Sequence, residues 1–229
     1  DSVVEGLKLR TNGITKPIIV LGYTLPYLYK TAAQNNITVT ISSFEALRDF
    51  ARSAVKPYFH LKIDTGMRRQ GFYLHDLQKI IQRIKNQEST HQRYLRHHGA
   101  GQARIKNKIT GIYTHFAAAK DGTDQAFTKK QSAEFAKAIA SMENAGFTKL
   151  LTHAAATGGT LLGKEFHYGA VRLGIGLYGG WPSEELQRQL GAKVPLRPVL
   201  SLHSIISEVK TIHKGEGIGY DVTEWAQKE

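Results

Sequence analysis

Not one cysteine occurs among the 229 residues. Disulfides, thiolate zinc sites and cysteine nucleophiles are therefore excluded, and no metal centre is expected. No apolar run approaches the length that would cross a membrane as a helix, and no internal repeat or low-complexity tract stands out. Acidic residues are also scarce: 19 Asp and Glu face 31 Lys and Arg, giving a formal charge of +12. With 41% of its residues apolar, the chain can bury one substantial core and the start of a second. It opens at Asp1 within a helical pattern that sets Val3, Val4 and Leu7 on one side. The true start is accordingly expected upstream, and the lack of a signal peptide at this end decides nothing.

The charge excess invites a nucleic-acid reading. Much of it sits in one stretch, from Arg83 through Arg93, Arg96, Arg104 and Lys106 to Lys108, where Glu88 is the only acid. A run of like charge is ordinarily a solvated surface insertion, and Tyr94 alone makes no platform for stacked bases. The insertion, residues 86–108, is expected to be surface, and neither nucleic acid nor membrane is the expected partner.

Short apolar runs alternate with helical patterns. Strands are expected at Pro17–Leu21, Ile37–Ile41, Tyr58–Ile63, Ile109–His115, Lys149–His153 and Ala170–Tyr178. They lack strict alternation, as strands covered on both faces should. Between them, Ser42 with Glu45 reads as a capping box for a helix to about Ala54. Leu77, Ile80, Ile81 and Ile84 make one helical stripe; Phe135, Ile139 and Met142 make another, which Gly146 ends. Strand–helix alternation implies parallel strands with helices outside, but six strands fit either a doubly wound sheet or most of an eight-stranded barrel. After Pro195 the character changes. Val199–Lys210 alternates like an antiparallel strand, and Lys214-Gly215-Glu216-Gly217 makes a turn, so residues 195–229 read as the start of a β domain following a barrel domain, 1–194.

The segment from His60 to Phe72 is the most informative. A buried strand there ends in Lys62, Asp64, Arg68 and Arg69 and turns through Gly66 and Gly71. Charges at a strand end need partners or water, and that edge is where barrels do chemistry. A second motif misleads. Gly174-Ile175-Gly176-Leu177-Tyr178-Gly179 matches G-x-G-x-x-G, yet Trp181 and Pro182 follow instead of a helix, and no acid lies about twenty residues on to hold a ribose. Its bare backbone can still approach a phosphate.

The Lys62–Phe72 run resembles the signature of alanine racemases, pyridoxal-phosphate enzymes that interconvert L- and D-alanine. Several further blocks agree: Glu5–Arg10, Pro17–Gly22, Gly111–Ala117, His153–Thr157, Val171–Gly179 and Gly215–Tyr220. The resemblance implies a TIM-type (β/α)8 barrel lacking its first two strands, followed by the start of a β domain. It implies that Leu21 lines the cofactor pocket and that Lys62 is a carbamylated lysine. That carbamate turns Arg69 toward the cofactor's phenolic oxygen and the substrate carboxylate, which a guanidinium meets as a planar fork. By the same comparison His115 is an active-site histidine, Thr157 binds a phosphate oxygen, and the amides of Gly174 and Ile175 bind the phosphate. Arg172 faces the pyridine nitrogen; a guanidinium donates a hydrogen bond but no proton, so the ring stays a weak electron sink and reprotonation is favoured. Tyr220 resembles the catalytic tyrosine, polarised by His115 and Arg172. In the family that tyrosine serves the partner subunit, which implies a head-to-tail homodimer.

The implied reaction exchanges the α-proton between a lysine and Tyr220 on opposite faces of a small amino acid, in the cytoplasm, supplying D-alanine for peptidoglycan. Arg68 stands where the family has a small residue, Ala156 where it has Asn and Asp221 where it has glycine. The lysine that anchors the cofactor lies in the family on the first barrel strand, in a motif resembling K-x-N-A-Y-G-H-G, and none occurs here. The 229 residues are therefore expected to be an inactive fragment. Competing readings are a racemase for serine or another small amino acid, a decarboxylase or cofactor carrier of the same fold, and a non-catalytic barrel whose basic insertion binds an acidic partner.

Overall fold

The computed structural model describes residues 1–86 and 105–228. Residues 87–104, the greater part of the basic insertion, lie outside the described residues. The chain divides into two compact units, Asp1–Arg197 and Pro198–Glu229.

In the first unit, β1 (Ile18–Ile19), β2 (Ile37–Ile41), β3 (Phe59–Lys62), β4 (Ile109–Tyr113) and β5 (Leu151–His153) form one sheet in sequential order. Every neighbouring pair is parallel. A doubly wound sheet reverses its strand order at a switch point. None occurs among the described residues, so the open choice resolves to a barrel, present as a half-barrel. Helices α1 (Val3–Thr11), α2 (Tyr29–Gln34), α3 (Phe44–Arg52), α5 (Ala126–Asn144), α6 (Thr157–Leu162) and α7 (Glu184–Leu190) accompany the strands, with α4 over 77–86.

Phe59, Leu61, Ile63, Val39, Ile41 and Ile112 belong to one fully buried cluster with Leu47, Phe50, Leu77, Ile80, Ile84, Phe135 and Met142. Each such side chain contributes roughly 1.5–3 kcal/mol by leaving water. The stripes expected on α4 and α5 are thus core, and Gly146 leaves α5 at φ +84°, the left-handed exit that glycine favours.

Four expectations need correction. Ser43, one residue later than Ser42, caps α3 by accepting from the Ala46 amide. The capping box lies instead in α1, between Ser2 and Glu5; Asp1 precedes that helix, and Val4 is exposed. Ala170–Tyr178 is no strand: Ala170 makes a single bridge to His153 and Ile175–Tyr178 is a 3-10 turn. Among the described residues no strand flanks it on the other side. Val199–Lys210 likewise pairs with nothing described; in the second unit only β6 (Gly217–Ile218) and β7 (Glu224–Trp225) form a ladder. An alternating pattern states which face a strand would bury, but the ladder needs a second strand to exist.

Candidate active site

Strand parity builds the site. Side chains two apart share a face, so Thr40, His60, Lys62, Tyr113 and His153 point into the concave side of the half-barrel. Barrel interiors are ordinarily filled with branched apolar residues. This one is polar, and its polar groups are paired. Thr40 Oγ1 donates to the Val20 carbonyl at 2.8 Å and lies 3.1 Å from the Tyr113 hydroxyl. Tyr113 in turn reaches the Leu21 carbonyl at 3.3 Å.

Arg172 is the hub. Its Nη1 lies 2.5 Å from His153 Nδ1, and its Nη2 donates to the carbonyls of Ala154 at 2.7 Å and Thr114 at 2.9 Å and approaches His115 Nδ1 at 3.2 Å. The guanidinium also lies over the Tyr113 ring at 5.4 Å. Every acceptor is neutral; Glu165 is not among them. Burial lowers the arginine to about 10, which leaves it charged at neutral pH. Leu21, Leu151, Ala170 and Val171 enclose a cavity of about 150 Å³ beside Arg172 and His153.

The loop after β3 closes on itself. Ile63 bridges to Phe72, with the Phe72 amide bonded to the Lys62 carbonyl at 2.9 Å and the Asp64 amide to the Phe72 carbonyl at 2.8 Å. Gly71 permits this closure: at φ +129°, a Cβ there would sit 2.7 Å from the Asp64 nitrogen. Asp64 accepts from the amides of Gly66 and Arg68 at 2.8 and 3.1 Å. Lys62 is buried, donates to Gln70 at 3.2 Å and lies over the Tyr113 ring at 5.5 Å. Its pKa falls to about 8, first from burial, then from the charges of Arg69 and Arg172. Arg69 is exposed. Burial, Arg172, Lys62 and Arg69 depress His115 to about 4.

Thr157 is buried at the start of α6 and accepts the amides of Gly174 at 3.1 Å and Gly176 at 3.2 Å. The Gly174 amide expected to face a phosphate is thus engaged by Thr157. With both lone pairs occupied, the hydroxyl can only donate outward, beside the Ile175 amide that opens the following turn. Tyr220 belongs to the second unit, exposed in a 3-10 turn, so the half-barrel by itself brings together Leu21, Lys62, His115, Thr157, Arg172 and the 174–175 backbone.

A family model, alanine racemase N-terminal domain, matches residues 2–182. The chain belongs to the alanine racemase N-terminal domain family. Alanine racemase of Carboxydothermus hydrogenoformans is 34% identical over 224 residues, 96% of this chain and 55% of that protein. Alanine racemase 1 of Bacillus subtilis is 34% identical over 227 residues, 98% of this chain and 53% of that one. A solved alanine racemase of Bacillus anthracis superposes with a TM-score of 0.76 at 29% identity, covering all of this chain and 55% of its own. The chain spans about half the length of these relatives. The sequence of this family member gave no sign that Thr40, His60, Tyr113 and Gln131 belong to the site. Gln131 on α5 ties the loops together through the Ala117 amide, the His115 carbonyl and the Thr65 hydroxyl.

Proposed function

We propose that this chain forms the cofactor-facing half-barrel of a pyridoxal-phosphate-dependent alanine racemase. The observation that carries the reading is the guanidinium of Arg172, half-buried at the strand ends against neutral acceptors alone. Lys62 and Arg69 join it there, so the site suits an anionic ligand.

The residues present fit the cofactor. Among the described residues no bond uses Arg172 Nε–H, which is left for an acceptor such as a pyridine nitrogen. The Thr157 hydroxyl and the Ile175 amide offer donors to a phosphate. Pyridoxal phosphate, when bound, supplies delocalisation of the charge left when the α-proton departs. Arg172 holds the ring side without yielding a proton, and His115, depressed to about 4, stays neutral, accepts from Arg172 at Nδ1 and can donate from Nε2 to a neighbouring phenolic oxygen. Arg69 binds the substrate carboxylate. With a pKa near 8, Lys62 is about one-tenth neutral amine at pH 7. That form is the one carbon dioxide converts to a carbamate, an anion placed to fix Arg69.

The full reaction takes two bases, an anchoring lysine and Tyr220 acting on the partner subunit of a head-to-tail homodimer. It serves D-alanine supply for peptidoglycan in the cytoplasm. These 229 residues contain no lysine in the expected anchoring motif, and alone they are expected not to racemise. Among the described residues no helix is long and apolar enough to cross a membrane.

The test has two arms. The chain assayed alone with added cofactor is expected to leave L-alanine unchanged, and the complete protein to interconvert the two enantiomers. A complete protein that binds pyridoxal phosphate yet racemises no amino acid sinks the reading. Ala156, at the start of α6, supports a second substrate reading, and L-serine competing equally with L-alanine would favour it.

A further inference from the structure

Beneath Lys62, one layer deeper in the half-barrel, His60 and His153 lie side by side, both buried. Imidazoles there are costly unless each nitrogen finds a partner. His60 Nδ1 lies 2.8 Å from His153 Nε2, and His153 Nδ1 lies 2.5 Å from Arg172 Nη1. An arginine only donates, so the direction of the chain is forced. His153 is bare at Nδ1 and protonated at Nε2, and it donates onward to a bare His60 Nδ1.

The strands are shaped to admit this pair. Gly111 faces His60 across the β3–β4 ladder, and a Cβ there would stand 2.5–2.6 Å from three atoms of the His60 ring. The register slips beside it, Phe59 pairing with Ile109 but His60 with Gly111. Glycine inside a strand weakens it unless something must approach closely, and here the approaching group is the imidazole. Tyr113 stacks on His153 with centroids 4.6 Å apart and planes 7° from parallel, which fixes the ring's tilt. Burial holds His60 near 4; burial, Arg172 and His60 hold His153 near 2.

We propose that His60 is a positioning residue that acts through His153, fixing its tautomer and thereby the orientation of Arg172 on neutral acceptors. The inference rests on the reading that Arg172 faces the cofactor ring, and it explains how that charge is aimed without being neutralised. A carboxylate in place of the pair would orient the guanidinium equally well but cancel the charge it presents.

The test uses the 229-residue chain labelled with ¹⁵N in histidine and arginine, without cofactor. Long-range ¹H–¹⁵N spectra at pH 7 report which ring nitrogen carries each proton. His153 is expected to be protonated at Nε2 and bare at Nδ1, His60 bare at Nδ1, and the Arg172 side-chain N–H slow to exchange. In His60→Leu the His153 Nε2–H resonance should move upfield and the Arg172 signal exchange faster. His60→Gln, whose amide oxygen accepts the same bond, should restore both. A His153 protonated at Nδ1 overturns the proposal, as does an Arg172 signal indifferent to His60→Leu. If His60→Leu does not fold, the tautomer in the unmutated chain still decides. Failure of the racemase reading shows in the activity assay and leaves these spectra untouched.

Discussion

The two units of this chain are built from similar sequence and reach different ends. In the first, the run Phe59–Lys62 has a strand on each side and all four residues are buried. In the second, Val199, Leu200, Leu202, Ile205, Ile206 and Val209 are as apolar, yet all are exposed, Leu202 at 97%. Composition and periodicity therefore record what a segment can bury. Whether it buries anything depends on a neighbour that the local pattern does not name.

The largest expected effect comes from testing that difference directly. Leu61→Ala deletes side-chain atoms from a closed core and should cost about 2–5 kcal/mol. Leu202→Ala should stay within about 0.5 kcal/mol, as exposed substitutions do. Urea midpoints measure both. A comparable loss at Leu202 would mean that the second unit is packed after all.

Within the first unit the comparison sharpens between core and network. Gln131→Leu keeps the apolar surroundings of α5 but removes three hydrogen bonds and leaves the Ala117 amide without its partner. A loss of about 2–3 kcal/mol is expected, with His115 displaced because its carbonyl loses an anchor. Unchanged stability together with an unchanged His115 resonance would show that the loops hold themselves.

Acid should weaken the first unit. His60 and His153 titrate near 4 and 2 when folded, against about 6.5 in an unfolded chain. Below that value the unfolded state binds more protons, so stability falls as pH drops through 6.5 toward 4. Between pH 7.5 and 5.5 each ring costs about 1.3 kcal/mol, and with His115, which is also held near 4, the loss is about 4 kcal/mol in all. Denaturant midpoints at pH 7.5 and 5.5 check this. Equal midpoints would place all of these rings in water.

The same contrast shows how much could be read without coordinates. The strands β2, β3 and β4 and the stripes on α4 and α5 were legible because burial on both faces leaves a plain apolar record. Lys62, Arg69, His115 and Arg172 stood out as candidates through motifs. His60 was not: a lone histidine on an apolar strand says nothing until a second strand brings His153 beside it. The sixth strand failed for the matching reason, since among the described residues Ala170 has a neighbour on one side only.

The smallest effect concerns two residues at left-handed backbone positions where the resemblance led to the expectation of a small residue or glycine. Arg68 sits at φ +55° and Asp221 at φ +58°, which explains why small residues or glycine suit both places. A residue with a Cβ gives up roughly 1 kcal/mol in that conformation. Arg68→Gly recovers it but loses the stacking of the guanidinium on Tyr73, 5.0 Å from the ring centroid, about 0.5 kcal/mol at an exposed site. Glycine also adds unfolded-state freedom worth roughly 0.5–1 kcal/mol. The terms cancel, so Arg68→Gly should move the melting temperature by no more than a degree or two. Asp221→Gly should do less, because aspartate tolerates this conformation better than most. Arg68→Val, β-branched and unable to stack, loses on every count and should cost about 1–2 kcal/mol. A valine variant as stable as the unmutated chain would show that the loop relaxes out of the left-handed region, and that Asp64, whose carboxylate accepts the Arg68 amide, does not hold it there.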